Sequence, residues 1–323
     1  MHPWNELIFE SLRRRFETLP HALLLHGPRG VGKLALAERI AQLMLCEAGD
    51  AARKPCGVCD GCRWFLGGNH PDFRRLEPEA LAKISSDGEE EAPSRGAKPS
   101  HEIKVDQVRE LAGFLNIGSH RGRRRVALVH PAEDMNPNAA NALLKGLEEP
   151  PADATFILVA HRPARLLATI RSRCVAVPLP IPEPATALKW LTAAGVKDAG
   201  RWLLYAGGAP LQALDCTSKA EALDRLLGAI RGRTQILVDD REELEALAEA
   251  LQKVAFDQVL AGVGASPKYG TKVSGASPAT VKAWLDFARQ MGRNRALARH
   301  PLNGRLFAAE MLAAMPPQEP VRS

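Results

Sequence analysis

The chain has no run of about 18 apolar residues, so no segment is suited to cross a membrane as a helix. Its first residues, Met1-His2-Pro3-Trp4-Asn5-Glu6, lack the basic and apolar stretches of a secretory leader, and a cytoplasmic location is expected. There is no internal repeat and no carboxylate constellation of a polymerase or nuclease. Aromatic residues make up 5%, and none interleave with the basic run Arg121-Gly122-Arg123-Arg124-Arg125, so base stacking is not indicated there. Trp64, Trp190, Trp202 and Trp284 read as packing or interface anchors. One missing hydroxyl says more than any of these. Gly27-Pro28-Arg29-Gly30-Val31-Gly32-Lys33 fits the phosphate-binding pattern G-x-x-x-x-G-K, but the Ser or Thr that should follow is Leu34. That hydroxyl normally ligates the Mg²⁺ between the β- and γ-phosphates, and leucine has no ligating atom.

What is present bounds the class. A chain of 323 residues, 46% hydrophobic, can bury a core and has room for two or three domains. Charged residues at 25% are ordinary. The net charge of +6 suits an anionic partner such as nucleic acid, and equally a mildly basic soluble protein.

The six cysteines divide into a cluster and two singles, Cys174 and Cys216. Cys46, Cys56, Cys59 and Cys62 form C-x9-C-x2-C-x2-C, with Gly57 and Gly61 between them as permissive backbone. In a reducing compartment two x2 spacings favour a metal over disulfides. Four thiolates in a closed tetrahedron suit structural Zn²⁺, with an iron–sulfur cluster as the rival. Cys174 reads as a buried core residue.

Patterning gives the order of elements. His21 to His26 reads as a buried strand running into the glycine-rich loop. Leu34 to Leu45 reads as a helix with Leu34, Ala37, Ala41 and Met44 on one stripe. Asp72 to Leu76 is a second strand, and Lys83 to His101 reads as a mobile loop. Val105, Val108, Leu111, Ala112 and Leu115 form a helical stripe. Strands follow at Val126 to Val129, Thr155 to Ala160 and Cys174 to Val177. Between the first two lies a helix with Asn136 as N-cap, Pro137 at its first position and Pro150-Pro151 as its stop. Strands alternating with helices predict a mostly parallel sheet covered on both faces. Pro178, Pro180, Pro182 and Pro184 mark a domain boundary, and the remainder reads as all-helical. Its helices are expected at Ala185 to Ala194, Ala199 to Ala206, around Leu244 to Val254, from Ser277-Pro278, and from Leu306 to Met315.

Taken in order, these residues resemble the delta-prime subunit family of the bacterial DNA polymerase III clamp loader, in the AAA+ superfamily. The resemblance rests on Gly27 to Lys33, on Cys46 to Cys62 with Gly68-Asn69-His70-Pro71-Asp72-Phe73, and on Val105-Asp106-Gln107-Val108-Arg109. It continues through Asn138 to Pro151 (NAANALLKGLEEPP), Arg171-Ser172-Arg173-Cys174 and His300-Pro301-Leu302-Asn303. The resemblance implies an α/β AAA+ P-loop core with an inserted zinc module over residues 1–178. A small helical lid over 179–222 and an all-α collar over 223–323 follow from it too. It further implies a non-hydrolysing stator in a complex with gamma/tau and delta subunits, which loads a sliding clamp onto primed DNA.

The gamma/tau subunits, the ATP-hydrolysing relatives, are the competing family. Against them stand Leu34, His130-Pro131 where the motors carry Asp-Glu after the strand, and Leu211 where they carry a lid arginine. A stand-alone zinc-containing nucleic-acid binder is the other rival. By the resemblance Arg173 is a trans arginine finger reaching a neighbour's nucleotide; the alternative is a solvated or locally paired arginine. Gly27, Gly30, Gly32 and Lys33 either retain phosphate binding or form an empty inherited loop, so ATP binding by this chain is an open expectation. The Arg121 to Arg125 run is either a DNA-phosphate contact or a solvated turn.

Overall fold

The structure is a computed structural model that describes residues 1–85, 99–118, 124–238, 240–271, 273, 277–298, 300 and 303–317. The chain packs as two compact units, Met1–Ile181 and Pro182–Ser323. No helix among the described residues is long and apolar enough to cross a membrane.

The first unit is built on a five-stranded sheet of order β2-β3-β4-β1-β5, with every neighbouring pair parallel. The strands are β1 (Ala22–His26), β2 (Phe73–Leu76), β3 (Arg125–Val129), β4 (Ala154–Ala160) and β5 (Val175–Pro178). The three inner strands read ALLLH, RVALV and ATFILVA, and β3 and β4 are buried along their whole length. Continuous apolar runs are what a parallel sheet covered on both faces requires. The edges differ: β2 (FRRL) and β5 (VAVP) both expose part of their length. Since β1 lies between β4 and β5, the chain order reverses there, and the crevice at the carboxyl ends of β1, β3 and β4 is where ligands bind in such sheets.

The helices of this unit are α1 (Glu6–Arg14), α2 (Lys33–Leu45), α3 (Asp60–Leu66), α4 (Glu79–Ser85), α5 (Val105–Asn116), α6 (Pro137–Glu148) and α7 (Ala168–Arg171). The α2 stripe is Leu36, Ala37, Ile40, Ala41, Leu43 and Met44, all buried, whereas Leu34 is half-buried. On α5 the inward residues are Val108, Leu111 and Leu115, with Phe114 half-buried; Ala112, expected on the stripe, faces solvent. Helix α6 starts where its cap dictates, since the Asn136 side chain accepts from the Ala139 N–H at 2.8 Å. The loop expected from Lys83 begins later than its composition suggests, because 83–85 close helix α4. Residues 86–98 lie outside the described residues. Cys174 is half-buried at the margin of the core that includes Phe156 and Leu158, not inside it.

The second unit is helical: α8 (Pro184–Ala193), α9 (Ala199–Tyr205), α10 (Pro210–Ser218), α11 (Ala220–Gly232), α12 (Arg241–Gly262), α13 (Pro278–Leu297) and α14 (Gly304–Ala313). Helices α10 and α11 were not anticipated. Helix α11 has no side-chain cap to mark its start, whereas α10 opens on Pro210, a start signal that the sequence reading passed over. One apolar cluster runs from Ala187 through Trp202, Leu251 and Trp284 to Met315, taking residues from both stretches expected as lid and collar. Helix α12 is set by Asp240, which accepts from the Glu243 N–H at 2.7 Å. Its fully buried Asp257 accepts from the N–H groups of Lys268, Tyr269 and Thr271 and from the Thr271 hydroxyl. That carboxylate therefore pins the segment that follows the helix.

Candidate functional site

The glycine-rich loop lies between β1 and α2, at the carboxyl end of the sheet. Gly27 admits no side chain, since a Cβ there would meet the Leu179 carbonyl at 2.1 Å. Gly30 and Gly32 take φ of 83° and 80°, the left-handed region in which glycine has no Cβ penalty. Lys33 is buried, 2% exposed, and folds back on its own loop. Its Nζ donates to the Gly27 carbonyl at 2.8 Å and to the Pro28 carbonyl at 2.5 Å. Burial pushes the amine down to about 8, opposed by Glu133 and assisted by Arg29. Leu34 places a hydrocarbon side chain at the position that would hold Mg²⁺.

Sequence reasoning missed what fastens this loop from the other side. Trp4 Nε1 donates to the Val31 carbonyl at 3.0 Å, and Asn5 Nδ2 donates to Val31 and Gly32 at 3.0 and 3.4 Å. The His2 ring stacks on Trp4 and occupies the space in front of Gly32. A Trp-Asn pair before the first helix has no recognised pattern, so only a long-range contact could have revealed it.

His130 follows β3 and His161 follows β4, and their rings meet edge to face at 5.4 Å. Burial holds His130 at about 4, with Arg75, Lys33 and Arg29 adding to it. Burial holds His161 at about 3, helped by Lys33 and His130. Both imidazoles are therefore neutral near pH 7, and their Nδ1 atoms are buried without a hydrogen-bond partner. Glu133 brings a carboxylate close, but it is committed to backbone. It accepts from the N–H groups of His161 and Arg162 at 2.9 Å each. The crevice thus offers cations and neutral rings, a poor set of ligands for a hard divalent metal that prefers carboxylate oxygens. His161 was not singled out in the sequence; its position directly after a predicted strand was the available signal.

Cys46, Cys56, Cys59 and Cys62 converge between α2 and α3, with their sulfurs all within 4.8 Å of one another. The Cys46–Cys59 separation is 3.9 Å, close to the ~3.8 Å edge of a tetrahedron with metal–sulfur bonds of about 2.3 Å. Backbone N–H groups of Glu47, Cys56, Cys59 and Cys62 point at sulfurs of Cys59, Cys46, Cys56 and Cys59. Such donors favour thiolates: the Val58 and Cys59 N–H groups bring Cys56 down to about 6, whereas burial pushes Cys46 up and Cys62 up to about 12. The residues fit one soft or borderline cation. The two glycines act differently from each other. Gly57 takes φ 75°, as a tight x2 turn needs. Gly61 is needed for space, because a Cβ there would lie 2.5 Å from the Leu45 carbonyl.

Arg173 lies just past α7, partly exposed, in an ion pair with Glu148 at 2.6 Å. Its Nη1 also donates to the Thr169 carbonyl at 2.9 Å. The segment before it is not extended: Arg171 closes α7, and Ser172 is still helical in φ and ψ. Leu211 is the second residue of α10 and half-buried.

Within the basic run, only its last two arginines are described, and Arg125 departs from both readings. Residues 119–123 lie outside the described residues. Arg124 reaches the Leu19 and Glu17 carbonyls and the Thr155 hydroxyl. Arg125 is 1% exposed and paired with Asp72, so it belongs neither to a solvated turn nor to a DNA contact.

A relative from Pseudomonas aeruginosa, DNA polymerase III subunit delta', is 43% identical over 217 residues, covering 66% of this chain and 60% of the relative. The subunit delta' of Escherichia coli is 36% identical over 193 residues, 59% of this chain and 52% of the relative. The subunit tau of Escherichia coli is 36% identical over 155 residues, 48% of this chain but 21% of the relative. The chain thus spans between half and three-fifths of these two delta' proteins. The model of one family, described as DNA polymerase III, delta subunit, matches residues 5–183. That stretch includes the phosphate loop, the four cysteines and Arg173, and it is more than half of the chain, which belongs to the DNA polymerase III delta subunit family.

Proposed function

We propose that this chain is the non-hydrolysing stator of a clamp-loader complex. The observation that carries the reading is the crevice at the ends of β1, β3 and β4. Lys33 is bonded to its own loop, Leu34 stands at the metal-ligand position, and neutral His130 and Pro131 stand where a motor needs two carboxylates. Phosphoryl transfer depends on a divalent metal and an oriented water, and Leu34, His130 and Pro131 offer carboxylate or hydroxyl oxygens to neither.

In this reading residues 1–178 are the AAA+ core, 179–222 a lid and 223–323 a collar that joins gamma/tau and delta subunits. The four cysteines hold one structural Zn²⁺, which ties the module between α2 and α3 into the core. Arg173 reaches the nucleotide of a neighbouring ATPase subunit. A guanidinium suits that role because it is permanently charged and forked. The complex places a sliding clamp on primed DNA in the cytoplasm, and any polymerase activity belongs to the holoenzyme. Relatives named delta' and tau support membership of such a complex.

The test is steady-state ATPase of the purified chain with and without primed DNA, alongside a pull-down with gamma/tau, delta and clamp. No turnover by the chain and its capture in the complex are expected. Robust Mg²⁺-dependent turnover by the unmodified chain would overturn the stator reading.

A further inference from the structure

We propose that Glu148 is the positioning carboxylate for Arg173, holding the guanidinium ready for a phosphate on the neighbouring subunit. The inference rests on the reading of Arg173 as a trans arginine. Arg173 Nη2 lies 2.6 Å from Glu148 Oε1, while Nη1 donates to the Thr169 carbonyl at 2.9 Å and faces the Ser172 hydroxyl at 3.4 Å. A guanidinium carries five N–H donors. The hydrogen bonds are made by Nη1, and the Glu148 contact is an ion pair, so Nε–H and Nη2 keep donors for a phosphate. The carboxylate thus anchors the charged fork beside the Nη1 hydrogen bonds without consuming it.

Two further features separate this pair from an incidental surface contact. Glu148 is the last residue of α6, where the partial negative charge of the helix terminus disfavours a carboxylate and favours a cation. Local helix energetics therefore do not explain a glutamate there, whereas a guanidinium brought in from just past α7 offsets the cost. The side chains are 34% and 49% exposed, so an approaching subunit can reach them. A pair that exposed contributes little to folding. Its removal should therefore act on the orientation of Arg173, not on the stability of the chain.

The charge distribution also sets what happens on docking. A phosphate that meets the free donors adds a second anion to a guanidinium already held by one. The fork is pre-organised, so less side-chain entropy is lost when the phosphate arrives. An arginine that acts on developing charge in the transition state should be felt in kcat more than in KM.

The test uses the reconstituted loader with clamp and primed DNA, carrying wild-type chain, Glu148→Gln, Glu148→Asp, Arg173→Ala or the double variant Glu148→Gln/Arg173→Ala. Zinc content and assembly are checked for each. Glu148→Gln should lower kcat for ATP by a factor of about two to ten with KM unchanged, the range expected for two residues acting as a coupled pair. Glu148→Asp should recover part of the loss. In the Arg173→Ala background Glu148→Gln should have no further effect, because nothing remains to be positioned. An unchanged or raised kcat for Glu148→Gln, with Arg173→Ala still slow, would overturn the positioning role and leave the arginine reading intact. Equal losses in both backgrounds would do the same. Unchanged turnover for Arg173→Ala would remove the arginine reading and the positioning role together.

Discussion

Arg125 and Asp72 face each other at the start of β3 and β2, Nε to Oδ1 at 3.4 Å, each side chain only 1% exposed. The register explains the meeting: Phe73 pairs with Val126, so the residues one step earlier are neighbours. Arg125 also donates to the Phe114 carbonyl and lies over the Phe114 ring, 4.7 Å from its centroid. Removing one partner leaves the other charge buried and unpaired. Asp72→Ala should therefore cost about 3–5 kcal/mol of stability, read by chemical denaturation. Replacing both, as Asp72→Leu with Arg125→Met, should recover much of the loss. A cost below about 1 kcal/mol for the single change would mean that water relaxes around the orphaned guanidinium.

That pair marks where sequence reading reached its limit. The inner strands were legible because continuous apolar runs such as LLL and FILV have few alternatives. The helix caps at Asn136 and the cysteine spacing were legible because they are local chemistry. Arg125 was not, since a run of arginines looks solvated until a strand pairing brings a buried carboxylate beside its last member. The Trp4 and Asn5 contacts to the phosphate loop were hidden for the same reason, being 27 and 26 residues apart in the chain. His161 lay in plain view after β4, but its meaning depends on His130 from another strand.

The cysteine cluster predicts one Zn²⁺ per chain by elemental analysis. Stripping it with a chelator should open the segment between α2 and α3 to protease, because metal binding and local folding are coupled. Cys59→Ser should lose the metal and the protection; Cys216→Ser, a buried residue of α10 in the second unit, should retain both. Disulfides among Cys46, Cys56, Cys59 and Cys62 in freshly isolated protein would contradict the metal reading.

His130 and His161 predict a pH dependence with a definite sign. Both are held well below their ordinary value of 6.5, to about 4 and about 3, chiefly by burial. The unfolded chain therefore takes up protons before the folded one. Their contribution is fully present above pH 6.5, and it is lost as pH falls from there through 4 and 3. Each histidine can add a slope of up to about 1.4 kcal/mol per pH unit within that window. Comparing denaturation of wild type with His130→Gln and His161→Gln between pH 7.5 and 5 isolates the two rings from the cysteines. Parallel curves for wild type and variants would show that the rings protonate freely in the fold.

The last prediction concerns how far the crevice stands from catalysis. Leu34→Thr restores one hydroxyl to the start of α2, and on motif logic alone it would repair the site. The structure argues otherwise. A metal held by one neutral hydroxyl lacks the carboxylate that the end of β3 should supply, and His130 and Pro131 supply none. Nor does the hydroxyl orient an attacking water, which is a separate task from holding the metal. Lys33 must also leave the carbonyls of Gly27 and Pro28 before it can meet a phosphate. Leu34→Thr alone should therefore show no Mg²⁺-dependent hydrolysis above the unmodified chain. The triple change Leu34→Thr, His130→Asp and Pro131→Glu meets the chemical minimum, and any turnover should appear only there. Single-turnover hydrolysis of radiolabelled ATP by the chain, at saturating Mg²⁺ and with contaminating ATPases removed, is the measurement. Turnover restored by Leu34→Thr alone would show that a hidden carboxylate, such as Glu133 released from the His161 and Arg162 N–H groups, can take the metal.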